Sequence, residues 1–467
     1  MPVAASAAAD TAALDKRRNV ILIIGDGMDN QQITIARNYL VGVNGRLSLD
    51  NMSRRSIAQV LTVDESAPQR VVYVADSANS ATAIASGQVT SRGRIATTAS
   101  DDRDLTSIVK LAAAAGYKTG VVSTASITDA TVAAFYANIR LRGCHNPTLM
   151  QQEDIYDPAA VDCSADLKAN GGPGSIAEQL VNSPLDLALG GGHKHFLHPA
   201  EGQSSSLLEL AKEAGFNVLT NVQQLDNGPA QQRWLGLFAA DTLPVALRGE
   251  NNRAAEKPKL NLLNRMPWSR DTRVLPAPMR CEANPKFGGT PSLQTMTRRA
   301  LEKLGGAGGS GGSGGRGFFL MVESASIDKQ AHWRNPCGSI GEVEQLDRAL
   351  DEALAFAEKN PNTLVLVTAD HGQAAQLVPA ESLFNYFGVP INTPGKIARL
   401  HTIDNAIMVI NYATNDFSME EHTGVSVPVL SNNKTDLPAT ILQTELFNVM
   451  ADHLQLKPRR QLTEAIR

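Results

Sequence analysis

The chain is poor in cysteine: Cys144, Cys163, Cys281 and Cys337 are the four in 467 residues, and no two are spaced C-x-x-C. That excludes a zinc ribbon built on cysteine pairs and a thioredoxin-type redox motif. Two disulfides or free buried thiols both remain open, and the totals do not fix a pairing. No run of about 18 apolar residues occurs, so no membrane-spanning helix is expected. Basic charge is not in excess: 43 Lys and Arg stand against 47 Asp and Glu, a formal net charge of −4. This argues against binding nucleic acid through a basic surface. The first residues, "MPVAASAAADTAALDKRRN", lack the charged and apolar regions of a secretory leader. By composition the chain is either cytoplasmic or an exported protein without its leader. No internal repeat is visible.

Hydrophobic residues make up 43% of the chain, enough for a sizeable core. Four short apolar runs read as fully buried parallel strands: "NVILIIG" (19–25), "KTGVVST" (118–124), "GFFLMVE" (317–323) and "NTLVLVTAD" (362–370). Helical patterns such as 105–116 and 343–359 lie between them. The alternation predicts an α/β fold, one large domain with a central, mostly parallel sheet flanked by helices on both faces. A short N-terminal segment (1–18) precedes the domain (19–467). The glycine run "GGAGGSGGSGGRG" (305–317) is expected to be an exposed, flexible loop without chemistry. Residues from about 380 to 417 break the α/β rhythm and are expected to form a small insert over one edge.

Each predicted strand is followed closely by a polar group. Asp26 follows the first, Asp129 and Thr131 the second; Glu323 ends the third, and Asp370 with His371 ends the fourth. Ligands of open parallel sheets bind beyond the carboxyl ends of the strands. A single such acid is more often a helix N-cap, but four strands ending this way, one with an added histidine, point to a site. Asp328 and His332 are four apart and share one face of a helix, where they could grip one zinc ion. His422, in "EEHTG", is a further imidazole in a polar loop. Asp26, Glu323, Asp328 and Asp370 bring four negative charges that could not stay ionised unpaired in one pocket. Three divalent cations would leave that pocket at plus two, and a phosphomonoester dianion would neutralise it. In "VADSANSATAIASG" (74–87), Asp76 and Ser77 stand ahead of a run of small residues. That pattern suits a serine at a helix N-terminus, where an anion is favoured.

The motifs "GDGM", "DSANSATA", "STASITDAT", "VESASIDKQAH", "TADHG" and "EEHTG" occur in the order found in alkaline phosphatases. The chain resembles that family over most of its length, most closely the bacterial periplasmic type with an Asp and a Lys near its magnesium site. The resemblance implies two zinc ions and one magnesium ion. Asp328, His332 and His422 would hold one zinc, and Asp26, Asp370 and His371 the other. Asp26, Thr131 and Glu323 would hold magnesium. Ser77 would be the nucleophile. Arg142, chosen over Arg140 because the family places its phosphate-binding arginine two residues before a cysteine, would grip phosphate. Asp129 and Lys329 would act through water. Hydrolysis of small phosphate monoesters at alkaline pH with broad leaving-group tolerance is implied, with inorganic phosphate as product.

The resemblance also pairs Cys144 with Cys163 and Cys281 with Cys337, and so implies a periplasmic or secreted protein. It makes a homodimer the expected assembly, although the N-terminal arm is short. The chain departs from the family pattern at Asn79, Ser324, Ala331 and Gln373, changes expected to tune the site and leave the ligand set intact. Asp76 is expected to brace its loop without touching metal, and Trp333 to pack rather than narrow the pocket. His193, His195 and His198 in "GGGHKHFLH" lack a nearby carboxylate and are expected to bind no metal.

Overall fold

The four apolar runs become neighbouring strands at the centre of one sheet in the computed structural model, which describes residues 17–151, 163–260, 273–306, 315–380 and 395–456. Among these residues the sheet has ten strands. They are β1 (Asn19–Gly25), β2 (Arg54–Gln59), β3 (Lys118–Ser126), β4 (Leu187–Gly191), β5 (Phe216–Leu219), β6 (Arg233–Leu237), β7 (Phe318–Ser324), β8 (Thr363–Ala369), β9 (Val427–Ser431) and β10 (Thr440–Leu442). Their spatial order is β10-β2-β9-β8-β1-β7-β3-β4-β6-β5. Only β9 runs against the rest, antiparallel to both β8 and β2. Every residue of β1, β7 and β8 is buried, because helices cover both faces. This is why these strands are continuous apolar runs rather than alternating ones.

Helix bounds differ from the periodicity for local reasons. The first predicted helix spans Ile108–Ala114, because the Ser107 hydroxyl accepts from Lys110 N–H and starts the helix there. Beyond it Gly116 sits at φ +82°, outside helical geometry. The second starts earlier, at Pro336, behind an Asn335 cap, and runs to Lys359.

The glycine run expected as a loop follows the helix Leu293–Gly305, and residues 307–314 lie outside the described residues. So do residues 1–16 of the N-terminal segment and 381–394 of the predicted insert. The described part of that insert contributes Lys396–His401 and Ile407–Tyr412, which join Gln376–Val378 in a separate three-stranded antiparallel sheet. Both disulfides implied by the resemblance are formed, Cys144–Cys163 and Cys281–Cys337. Among the described residues no helix is long and apolar enough to cross a membrane.

Candidate active site

Beyond the carboxyl ends of β1, β3, β7 and β8 the predicted acids converge. Asp26 leaves β1 with its N–H bonded to Ser324 of β7 at 3.1 Å. Glu323 is the penultimate residue of β7, and Asp370 follows β8. Asp129 caps the single turn Ala130–Ala133 that carries Thr131. The helix Ser326–His332 places Asp328 and His332 one turn apart on the same face. His422 arrives differently. Because β9 is antiparallel to β8, the loop before β9 lies at the carboxyl ends of the parallel strands and delivers the imidazole there.

Asp328, His332 and His422 aim their donor atoms at one point. His332 Nε2 is 3.1 Å from Asp328 Oδ2 and 3.1 Å from His422 Nε2, which is 3.3 Å from Asp328 Oδ1. Each Nδ1 faces a backbone carbonyl, His332 that of Glu420 at 2.5 Å and His422 that of Ala75 at 2.9 Å. Donation there leaves both Nε2 lone pairs turned toward the carboxylate, an arrangement that calls for a shared cation. Donor separations near 3.3 Å are also the edges of a tetrahedron with bonds of about 2.0–2.1 Å, the zinc–nitrogen range.

A second cluster lies beside Ser77. Asp26, Asp328 and His371 have donor atoms within 4.8 Å of one another, so Asp328 borders both clusters. His371 Nε2 is 3.3 Å from Asp26 Oδ1 and 3.5 Å from Asp370 Oδ2. Asp370 Oδ1 accepts from Gly27 N–H and His371 N–H, whereas its Oδ2 is buried without a hydrogen-bond partner. A buried carboxylate oxygen with nothing to bond is costly unless a cation meets it. Ser77 Oγ is 3.2 Å from His371 Nε2 and 3.4 Å from Asp26 Oδ1.

Ser77 opens the helix Ser77–Ser86, all ten residues of which are buried, so the small side chains serve close packing behind the site. Asp76 and Asn79 bond reciprocally to each other's backbone N–H, and the departure at Asn79 thus completes a capping box. Asp76 also does something its sequence position did not reveal. Its Oδ2 accepts from Arg142 Nη1 at 3.1 Å and so fixes one side of that guanidinium. Asp129 Oδ1 lies 3.4 Å from Arg142 Nη2, and Asp129 Oδ2 accepts from Lys329 Nζ at 2.5 Å. Glu323 accepts from Ser123 Oγ at 2.5 Å and is bonded by Thr131. Gln373 donates to Asp328 Oδ1 at 2.6 Å, so this departure touches and orients the Asp328 carboxylate directly.

Charge is strongly displaced here. Burial, reinforced by Asp370, Asp328 and Glu323, pushes the Asp26 carboxyl well above the ordinary range. Burial raises Glu323 to about 8 despite its hydrogen bonds. Burial opposes ionisation of Asp328, but His332 and His422 hold its carboxyl well below the usual range. Burial would also lower His422, yet its bond to Asp328 raises it to about 9. The Asp328 carboxylate thus favours positive charge at the point where the two Nε2 atoms meet. Burial disfavours the charges of Asp129 and Lys329 as well, but mutual attraction drives Asp129 far down and Lys329 above the lysine range.

Trp333 does not pack as expected: it is 59% exposed and lines a cavity of about 480 Å³ over Ser77, Arg142 and Lys329. Two histidines of 193–198 have neighbours of their own. His195 is buried, stacks on His145 and bonds to Asn146, while His198 bonds to Thr148.

The alkaline phosphatase family model matches residues 17–445. The chain belongs to the alkaline phosphatase family. It is 40% identical over 434 residues to streptomycin-6-phosphate phosphatase of Streptomyces griseus, covering 91% of this chain and 87% of that protein. It is 35% identical over 452 residues to the alkaline phosphatase of Escherichia coli K12, covering 94% and 86%. Among solved structures, Thermus thermophilus alkaline phosphatase has the same fold with a TM-score of 0.66 at 19% identity, covering 98% of this chain and 96% of that one. The enzyme of the Antarctic bacterium TAB5 gives 0.63 at 22% identity, covering 95% and 99%. This alkaline phosphatase thus has its family's fold and an acid- and histidine-lined site able to hold metal.

Proposed function

We propose that this chain's phosphomonoesterase activity runs through Ser77, with two zinc ions and one magnesium ion held by the clusters described above. Hydrolysis of phosphate monoesters through a covalent phosphoserine is the family's chemistry. The observation that carries the residue assignment is the convergence of two histidine Nε2 atoms and a carboxylate at one point, next to a second cluster whose Asp26 and His371 border a buried serine that opens a helix. Asp328, His332 and His422 would hold one zinc, and Asp26, Asp370 and His371 the other, beside Ser77. Asp26, Thr131 and Glu323 would hold magnesium. When bound, these cations supply Lewis-acid stabilisation of the oxygens that gain charge.

Ser77 Oγ gives up its proton and attacks phosphorus; the Oγ–P bond forms as the bond to the leaving alkoxide breaks, and that alkoxide departs as the alcohol. Water then cleaves the Oγ–P bond, releasing phosphate and restoring the serine. The N-terminus of Ser77–Ser86 favours the arriving anion. Arg142, set by Asp76 and Asp129, presents its planar fork to two phosphate oxygens. Lys329, set by Asp129, stays cationic at alkaline pH.

Initial rates on p-nitrophenyl phosphate and bis-p-nitrophenyl phosphate, with zinc and magnesium supplied, test the reading. A large monoester preference is expected; preference for the diester contradicts the magnesium and Arg142 assignments. Asp129→Asn tests the hold of Asp129 on Lys329. Removing the carboxylate returns Lys329 toward its ordinary 10.5, so inhibition by phosphate should weaken as pH rises toward that value. The parent should keep its phosphate affinity over the same range, measured as KI against pH. The two disulfides support an exported protein, and a homodimer is the assembly we propose, checked by sedimentation.

A further inference from the structure

The loop that delivers His422 is clasped at Glu420. Its carboxylate accepts from Arg334 Nε at 2.5 Å and from Asn415 N–H at 3.2 Å, and Arg334 Nη1 binds the Ser418 carbonyl at 2.8 Å. Both members of the Arg334–Glu420 pair are buried. Glu420 also bonds His332 in both directions, its N–H to the His332 carbonyl at 2.9 Å and its carbonyl to His332 Nδ1. Trp333 and Glu421, the next residues on each side, are thereby brought to the mouth of the same cavity, together with Met419.

Partners are shared out unevenly around that cavity. Asp76 is paired with Arg142, Lys329 with Asp129, Asp328 with the two histidines, and Arg92 turns its guanidinium onto the Val74 carbonyl. Glu421 lines the same cavity, is exposed, and has no ion pair among the described residues. Arg92 has no carboxylate partner among the described residues either, so the cavity as a whole still admits a dianion, while the Glu421 carboxylate favours a leaving group that carries positive charge on its own side. Lining the same cavity, Trp333 is 59% and Met419 41% exposed, next in sequence to the residues of the Arg334–Glu420 clasp. An indole face and a carboxylate together suit an alkylammonium group on an apolar skeleton.

We propose that Trp333, Met419 and Glu421 form a leaving-group subsite for phosphate monoesters of amine-bearing, cationic alcohols. The inference rests on the phosphomonoesterase reading and assigns the part of the cavity that the phosphoryl group does not use.

The test compares kcat/KM for phosphocholine and for 3,3-dimethylbutyl phosphate, which has the same shape without the charge. The parent enzyme is expected to prefer phosphocholine by about five- to tenfold at low salt, and less at high salt. In Glu421→Gln the ratio should fall toward one; in Trp333→Leu it should fall part-way. Because each variant is compared with itself on two isosteric substrates, a general loss of activity does not imitate the result. A parent ratio near one, or a ratio unchanged in Glu421→Gln, overturns the subsite. If p-nitrophenyl phosphate is still turned over in that case, the phosphatase reading stands; if no monoester is turned over, both fall.

Discussion

Ser77→Ala is expected to lower kcat on p-nitrophenyl phosphate by about three orders of magnitude or more, while the protein remains folded. Removing a nucleophile usually costs this much, and the residual rate reflects binding and electrostatics that persist without it. The fold should tolerate the change, because position 77 opens a helix whose cap is made by Asp76 and Asn79, not by the serine hydroxyl. Arg142 and Lys329 remain anchored to Asp76 and Asp129, so phosphate should still inhibit the variant. Loss of kcat with retained phosphate affinity separates a nucleophile from a structural serine. A variant with near-parent kcat would remove Ser77 from the chemistry.

Chelation is expected to abolish turnover and to lower the melting temperature. Three sites, each a thousandfold above its dissociation constant, would together contribute about 12 kcal/mol. A chain of this length gains about 1 kcal/mol per kelvin of unfolding entropy, so the fall should be about 12 °C. The physical origin is the acid cluster: Asp26, Glu323, Asp328 and Asp370 are buried together. The metal-free protein should also depend on pH in a defined direction. A carboxyl raised on folding contributes stability below its unfolded pKa, and that contribution is lost as pH rises through the folded one. For Glu323 this window runs from its ordinary 4.5 to about 8, and Asp26 acts in the same direction. Metal-free protein should therefore lose stability between pH 5 and pH 8, and Glu323→Gln should remove part of that loss. Differential scanning calorimetry of chelated and metal-restored protein at both pH values reads all three effects. A melting temperature indifferent to chelation would contradict the metal assignments.

The centre of the sheet was readable because strands buried on both faces must be apolar throughout, and the acids after them stood out against that background. Asp328 and His332 were readable from helical spacing alone. His422 was named as a ligand only through the family resemblance, since its place depends on β9 running antiparallel, a direction that helical or strand periodicity around "EEHTG" does not encode. The grip of Asp76 on Arg142 joins residues 66 apart and needs the fold to be seen. The cap at Asn79 was hidden for another reason: Asn is an uncommon partner in a capping box, so the position read as a departure. Trp333 was misread because a large apolar side chain ordinarily packs, and only the Arg334–Glu420 clasp shows why this one stays at the cavity mouth.

The most direct measurement is to mix metal-loaded enzyme with a phosphate monoester, quench in acid, and map the phosphoryl group by peptide mass spectrometry. The account predicts one phosphoryl group on the peptide containing Ser77, absent after Ser77→Ala. Phosphorylation of another residue, or full turnover with no phosphoenzyme in either protein, would contradict it.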